Sequence, residues 1–126
     1  MDHNNPCLFC NISKQDVISE NDFCFAIWDG FPVSTGHALI IPKRHTLSFF
    51  DLNEDEITKM FSLVCEVKDV IQKKYNPDGY NIGINDGVSA GRTIHHLHLH
   101  LIPRYEGDIP NPRGGVRHII PGKGFY

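Results

Sequence analysis

The segment His96-Leu97-His98-Leu99-His100-Leu101-Ile102 alternates histidine with leucine at strict period 2. That period belongs to a β-strand with one buried face. Successive side chains point to opposite sides, so the leucines anchor one face in a core and the imidazoles share the other, at steps of roughly 6.5–7 Å. A chain carrying this segment has to build a sheet with an apolar layer behind it. The same period gathers on one face the side chain that exchanges protons, ligates metal or attacks phosphorus near neutral pH. This strand is therefore the first place to look for chemistry.

The rest of the chain supplies partners for it. Asp16 to Glu20 reads as a short strand. In residues 23–29, Phe23, Phe25 and Ile27 alternate with Cys24, Ala26 and Trp28, the pattern of a strand covered on both faces. Gly30, Pro32 and Gly36 bound a loop, and residues 37–42 form a further strand ended by Pro42. The spacing predicts one long helix over 53–75. Asn53 is its N-cap, with Glu56 three residues on as capping-box partner, and Ile57, Met60, Phe61, Val64, Val67, Ile71 and Tyr75 form its apolar stripe. Asn76-Pro77-Asp78-Gly79 stops it. Tyr80 to Asp86 reads as a strand, Gly87 to Gly91 as a glycine-bearing loop, and 96–103 as the histidine strand. Residues 105–126, rich in Gly and Pro, read as a tail or a substrate loop. Strands interrupted once by a helix imply an antiparallel sheet with helical cover on one side, an α+β domain. With 126 residues and no internal repeat, one domain over 1–126 is expected.

Composition narrows the function classes. A formal charge of −3 argues against a partner such as duplex DNA or an anionic membrane surface, though not against a local cationic site for small phosphates. Met1 to Pro6 has neither a basic start nor an apolar run, so no signal peptide is expected. No apolar run approaches the roughly 20 residues that span a bilayer. A cytoplasmic location follows as the default, with the four cysteines reduced.

Three chemistries fit the histidine strand. His98 can be a nucleophile toward phosphorus, splitting one hard displacement into two easier ones. A His-x-His pair can ligate a catalytic zinc. The histidines can also be structural, each satisfied by local hydrogen bonds, which is the commoner fate of a lone buried histidine. Cys7-x-x-Cys10 adds a pair of thiolates at the spacing that grips one zinc, leaving two ligands to be found among eight histidines. Cys24 and Cys65 read as core. Asn85 to Thr93 can present backbone N–H groups to phosphate oxygens. Lys43 and Arg44, taken alone, read as a solvated strand end.

Together these segments resemble the histidine triad family of nucleotide hydrolases and transferases. The resemblance rests on His-φ-His-φ-His-φ-φ at 96–102 and Gly-His-φ-φ-φ-φ-Pro-Lys-x-His at 36–45. The loop from Asn85-x-Gly87 to Gly91-x-Thr93 and the opening Cys7-x-x-Cys10 also fit, so the likeness runs from about Cys7 to Arg104. It implies an antiparallel sheet with one long helix and a short helix. It also implies hydrolysis at the α-phosphate of a nucleoside monophosphate derivative, a dinucleoside polyphosphate or a nucleoside phosphoramidate, through a nucleotidyl-histidine intermediate. His98 would attack, its other ring nitrogen donating to a backbone carbonyl. His100 would bond phosphate or leaving-group oxygen, and Gly91 and Thr93 would contact the phosphate. Asn85 and His37 would line the phosphate site, Asp29 would accept from the ribose hydroxyls, and Ile27 would help sandwich a purine base, adenine in particular. Zinc-bearing members point to His45 and His96 as the ligands that join Cys7 and Cys10 in a structural zinc site. Members of this type pair as homodimers through the long helix and an edge strand. The remaining readings are a hydrolase using the histidines as catalytic zinc ligands and a nucleotide-binding signalling protein with little turnover. Arg92 departs from the glutamine many members carry there, so it can hold a longer polyphosphate or point to solvent. His95 falls on the opposite strand face and takes no role. Arg113, Arg117 and His118 could reach a polyphosphate, although a solvated tail is the plainer expectation.

Overall fold

The computed structural model describes residues 6–126; Met1 to Asn5, on which the expectation of no signal peptide rests, lie outside the described residues. Five strands form one antiparallel sheet: β1 (Val17–Glu20), β2 (Cys24–Trp28), β3 (Ala38–Pro42), β4 (Gly79–Ile84) and β5 (Leu99–Arg104), in the order β1-β2-β3-β5-β4. The helix α1 (Glu54–Tyr75) is capped as its sequence dictates. Asn53 accepts from the Glu56 N–H at 2.9 Å and Glu56 accepts from the Asn53 N–H at 3.1 Å. It ends on Asn76 in the left-handed region. The other helical pieces are short 3-10 turns, at Leu8–Asn11 and Phe49–Asp51 among others, so the expected short helix takes that tighter form.

Period 2 decides what lies on each face of the sheet. Leu97, Leu99 and Leu101 join Cys24, Ala26, Ala38 and Ile40 against α1, whose Met60, Leu63, Val64, Val67 and Ile71 close the main core. On the other face Phe25, Ile27, Leu39 and Ile41 are covered by Phe9 and Ile12 of the N-terminal segment and by Ile94. His98 and His100 belong to this second face. Two helix assignments differ from the expected stripe: Phe61 is 42 % exposed, whereas Leu63 is buried. Cys24 is core as expected, but Cys65 is exposed. It stands one residue past Val64, a turn of about 100° that carries it off the apolar stripe.

The ladder of β5 begins later than expected, at Leu99. Before it, residues 96–98 keep the alternation and are tied to the segment after β3 by the Leu97 N–H to Thr46 carbonyl bond at 2.7 Å. β3 pairs only as far as Leu101 along β5, so Pro103 stands where a missing N–H removes nothing from the β3 ladder. Among the described residues, no helix is long and apolar enough to cross a membrane.

Candidate functional site

Hydrogen-bond partners assign a tautomer to each histidine of the strand. A carbonyl can only accept, so a ring nitrogen facing one carries its proton. His96 Nε2 lies 2.8 Å from the Pro42 carbonyl, which leaves Nδ1 as a lone pair. His98 Nδ1 lies 2.8 Å from the His96 carbonyl, which leaves Nε2 unprotonated at the cavity. The third follows through His37. The Val33 N–H donates to His37 Nδ1 at 3.1 Å, so the His37 proton sits on Nε2 and donates to His100 Nδ1 at 3.0 Å. His100 must then present Nε2–H. The strand thus holds, side by side, a lone pair on His98 and a donor on His100, with ring centroids 5.2 Å apart.

The local chain explains why His37 sits behind His100. Gly36 has φ +90°, and a Cβ there would meet the Tyr75 ring at 2.8 Å, so only glycine makes this approach. The Ser34 hydroxyl donates to the Pro103 carbonyl and the Tyr105 hydroxyl to the Thr35 carbonyl, both at 2.6 Å, which pins the 33–35 loop over β5. His37 is 3 % exposed, and burial lowers its pKa against the pull of the Asp29 carboxylate. Burial, with repulsion from His98 and His37, pushes His100 down to about 4, Asp29 opposing. His100 is therefore a neutral hydrogen-bond donor at pH 7.

A cavity of about 660 Å³ opens over His98 and His100. Ile27, Asp29, Asn85, Gly91 and Thr93 line it with them, while His37 supports His100 from behind. Asp29 both forms the turn and faces the site: Oδ1 accepts from the Phe31 N–H at 2.8 Å, and Oδ2 lies 3.3 Å from His37 Nε2. Gly91, at φ +98°, ends the turn Val88–Ala90 and takes the chain back toward the strand. A second cavity, of about 320 Å³, shares His100 and Asn85 with the first and is walled by Ile82, Ile102 and the tail's Val116 and Ile119. Residues beyond 105 thus include a wall near the site.

Two groups of donor atoms converge among the described residues. In the first, Cys7 Sγ lies 3.4 Å from His96 Nδ1, and Cys10 Sγ lies 3.3 Å from His45 Nδ1 and 3.5 Å from His96 Nδ1. Tetrahedral zinc with its usual Zn–S and Zn–N bonds spaces such atoms about 3.5 Å apart. His96 Nε2–H on the Pro42 carbonyl is the outer contact that orients a ligating imidazole. Cys2His2 chemistry, spacing and tautomer all suit zinc. The second group, Asp29, His37 and His100, suits it poorly. A metal on His37 Nε2 would displace a proton whose only other seat, Nδ1, already accepts the Val33 N–H. His98 belongs to neither group.

Other candidate residues are engaged elsewhere. Arg92 does not line the cavity; its guanidinium reaches His95 Nδ1 and the Leu47 carbonyl, both at 3.2 Å. Lys43 pairs with Glu20 and Arg44 with Glu56 at the surface. The Arg113 and Arg117 guanidiniums each lie 4.7 Å from the Tyr126 ring, and His118 donates to the Arg113 carbonyl, so the tail folds on itself. Sequence reasoning missed Phe9 and Val33. Phe9, 4 % exposed between the two cysteines, packs edge-on against His98; its place inside Cys-x-x-Cys was the available signal. Val33 acts through its backbone N–H, which no side-chain pattern reveals.

An α+β sheet that turns a backbone-tethered histidine toward a cavity defines a class of histidine-bearing sheet proteins. Within that class, residues 11–107 match the HIT domain model, and the chain belongs to the histidine triad family. It is similar to the asymmetrical bis(5'-nucleosyl)-tetraphosphatase of Schizosaccharomyces pombe, 44 % identical over 78 residues, covering 62 % of this chain and 43 % of that protein. Similarity to adenylylsulfatase HINT3 of Arabidopsis thaliana is 37 % over 108 residues, 82 % of this chain and 55 % of that one. The chain thus spans about half the length of these two relatives. A zinc-bound histidine triad protein from Mycobacterium smegmatis has the same fold, with TM-score 0.73, 35 % identity and coverage of 82 % of this chain and 78 % of that one.

Proposed function

We propose that this chain hydrolyses nucleoside 5'-monophosphate derivatives at the α-phosphate, with dinucleoside polyphosphates or nucleoside phosphoramidates as the substrate class. The observation that carries the reading is His98: its Nδ1–H is tied to the His96 carbonyl and its Nε2 lone pair borders the large cavity. In the first half-reaction Nε2 forms a bond to phosphorus as the bond to the leaving group breaks. His100 Nε2–H steadies the phosphate or leaving-group oxygen. Water then displaces His98 and releases the monophosphate. Gly91 and Thr93 contact the phosphate, Asn85 and His37 complete its surroundings, Asp29 Oδ2 receives a ribose hydroxyl, and Ile27 packs on a purine, adenine in particular. The second cavity gives the leaving group room beyond His100.

Zinc at Cys7, Cys10, His45 and His96 is structural in this reading, closing the N-terminal segment onto the strand and requiring the reduced thiols of a cytoplasmic location. The working unit is a homodimer built through α1 and an edge strand, which light scattering after gel filtration tests.

The direct experiment is to quench the purified protein with an adenosine dinucleotide or phosphoramidate and weigh the His98 peptide. A nucleotidyl adduct, absent in His98→Ala along with turnover, is expected. No adduct together with full activity of His98→Ala overturns the proposal. Loss of turnover on chelation with the fold intact would instead favour a catalytic metal, and nucleotide affinity without turnover a binding protein.

A further inference from the structure

The His98 ring is held from two sides, and both holds originate in the cysteine–histidine cage. One is the carbonyl of His96, whose own Nδ1 faces Cys7 and Cys10. The other is Phe9, which lies between those cysteines in the turn Leu8–Asn11. Its ring meets His98 at a centroid distance of 5.0 Å and an interplanar angle of 71°, and His96 at 6.1 Å and 81°. These are edge-to-face contacts, the arrangement aromatic rings prefer.

Phe9 is placed by the turn that carries it. Within the turn, the Cys10 N–H and the Asn11 side-chain amide both donate to the Cys7 carbonyl, at 3.2 and 2.8 Å. The turn meets the sheet through the packing of Phe9 on Phe25, Ile27, Leu39 and Ile41, and through the convergence of Cys7 and Cys10 on His45 and His96. Cys7, Cys10, His45 and His96 would hold a metal between the turn and the sheet, which would fix the turn and with it Phe9, whose ring stands edge-on against His98. Without that contact the ring can turn about its χ2, Nδ1 leaves the His96 carbonyl, and the unprotonated nitrogen no longer faces the cavity.

We infer that Phe9 is a positioning residue for His98, and that metal held by Cys7, Cys10, His45 and His96 is what keeps it in place. The inference deepens the proposed hydrolysis and rests on it for its kinetic consequences, but its structural content is testable alone. Phe9 also borders the large cavity, so the informative variant is Phe9→Leu, which keeps an apolar surface toward bound nucleotide and removes the ring edge.

Two measurements on the full chain decide it. Imidazole ¹⁵N shifts report the His98 tautomer directly, with His118 in the tail as an internal control. In zinc-loaded wild type His98 is expected as a single Nδ1–H form. In zinc-loaded Phe9→Leu, and in wild type stripped by a chelator, it is expected as a mixture that the return of zinc resolves only in wild type. In turnover, Phe9→Leu is expected to lower kcat roughly 2- to 12-fold, the range an aromatic pair of ~0.5–1.5 kcal/mol allows, with KM changed less than about twofold because only the ring edge is lost. A single Nδ1–H form in zinc-loaded Phe9→Leu overturns the role of Phe9. A single form in stripped, still folded wild type overturns the role of the metal. Should stripping unfold the chain, Cys10→Ser, which takes one thiol from the metal, replaces that arm, and a single Nδ1–H form in that variant overturns the role of the metal equally. Should the protein turn over no nucleotide at all, the proposed hydrolysis fails while the ¹⁵N result still judges Phe9.

Discussion

Replacing His37 by phenylalanine tests the hydrogen-bond chain that sets the His100 tautomer. The substitution keeps a buried aromatic ring and deletes both nitrogens. His100 Nδ1 then loses the 3.0 Å bond from His37 Nε2–H, and the Val33 N–H loses its acceptor at 3.1 Å. A hydrogen bond of this kind contributes about 0.5–1.5 kcal/mol net. Spread over two tautomers at about 1.4 kcal/mol per tenfold, that bias is worth roughly 2- to 12-fold in the ratio of the Nε2–H to the Nδ1–H form of His100. If that donor steadies the departing group, kcat/KM falls for a poor leaving group such as an amine or alkoxide, by at most that factor. For a p-nitrophenolate, which departs without help, it falls less than about twofold. The assay is a leaving-group series on one nucleoside 5'-phosphoryl scaffold, run beside ¹⁵N spectra of His100. An equal loss across the series, or a His100 that remains wholly Nε2–H in the variant, refutes the reasoning.

Three further outcomes follow from the structure. Removing the capping box with Asn53→Ala lowers stability by about 1 kcal/mol, a fall of roughly 3–5 °C in Tm for a domain of this size, and leaves turnover unchanged because α1 packs on the far side of the sheet from His98. The folded pKa of His100, about 4, lies below its ordinary 6.5. The unfolded chain therefore takes up a proton that the native state refuses, so stability is full above pH 6.5 and is lost as pH falls toward 4. The bound on this contribution is roughly 3 kcal/mol, and urea midpoints at pH 7 and pH 5 check it. The loss should be larger in wild type than in His100→Asn, and equal losses would count against it. Finally, Cys10→Ser should lower Tm and abolish its dependence on added zinc, since a ligand at a thousand times its Kd stabilises by about 4 kcal/mol. Calorimetry with and without zinc reads this, and an unchanged zinc response would remove Cys10 from the cage.

Alternation carried most of what could be read before folding. It separated Leu97, Leu99 and Leu101 from His96, His98 and His100, and Phe25 and Ile27 from Cys24 and Ala26; it misplaced Phe23, which precedes β2 and packs with Cys24 against α1 rather than with Phe25 and Ile27. Helical spacing placed α1 and its cap. The same rules failed where a single residue of phase matters. Cys65 looked apolar enough for the core yet stands beside the stripe, and Leu63 was passed over on its buried side. The ladder of β5 starts at Leu99 because residues 96–98 are held by the Thr46 carbonyl outside the β3 ladder, a tertiary contact with no local signature. Side-chain identity could not foretell that a backbone N–H at Val33 orients two histidines, nor that Arg92 turns to Leu47 and His95. The tail had no periodicity to read, and its shape comes from guanidinium–ring stacking on Tyr126.

The place of β5 in the strand order has a consequence for how the molecule comes into being. This strand lies between β3 and β4, yet it is the last of the five to be synthesised. Cys7 meets His96 across a separation of 89 residues. Pairings this distant in sequence must close long loops before they return any energy, and they form late and slowly. The cage, the tautomer chain and the cavity all depend on that one insertion. A nascent or partly folded chain therefore holds every residue of the site and none of its geometry until that interior strand goes in.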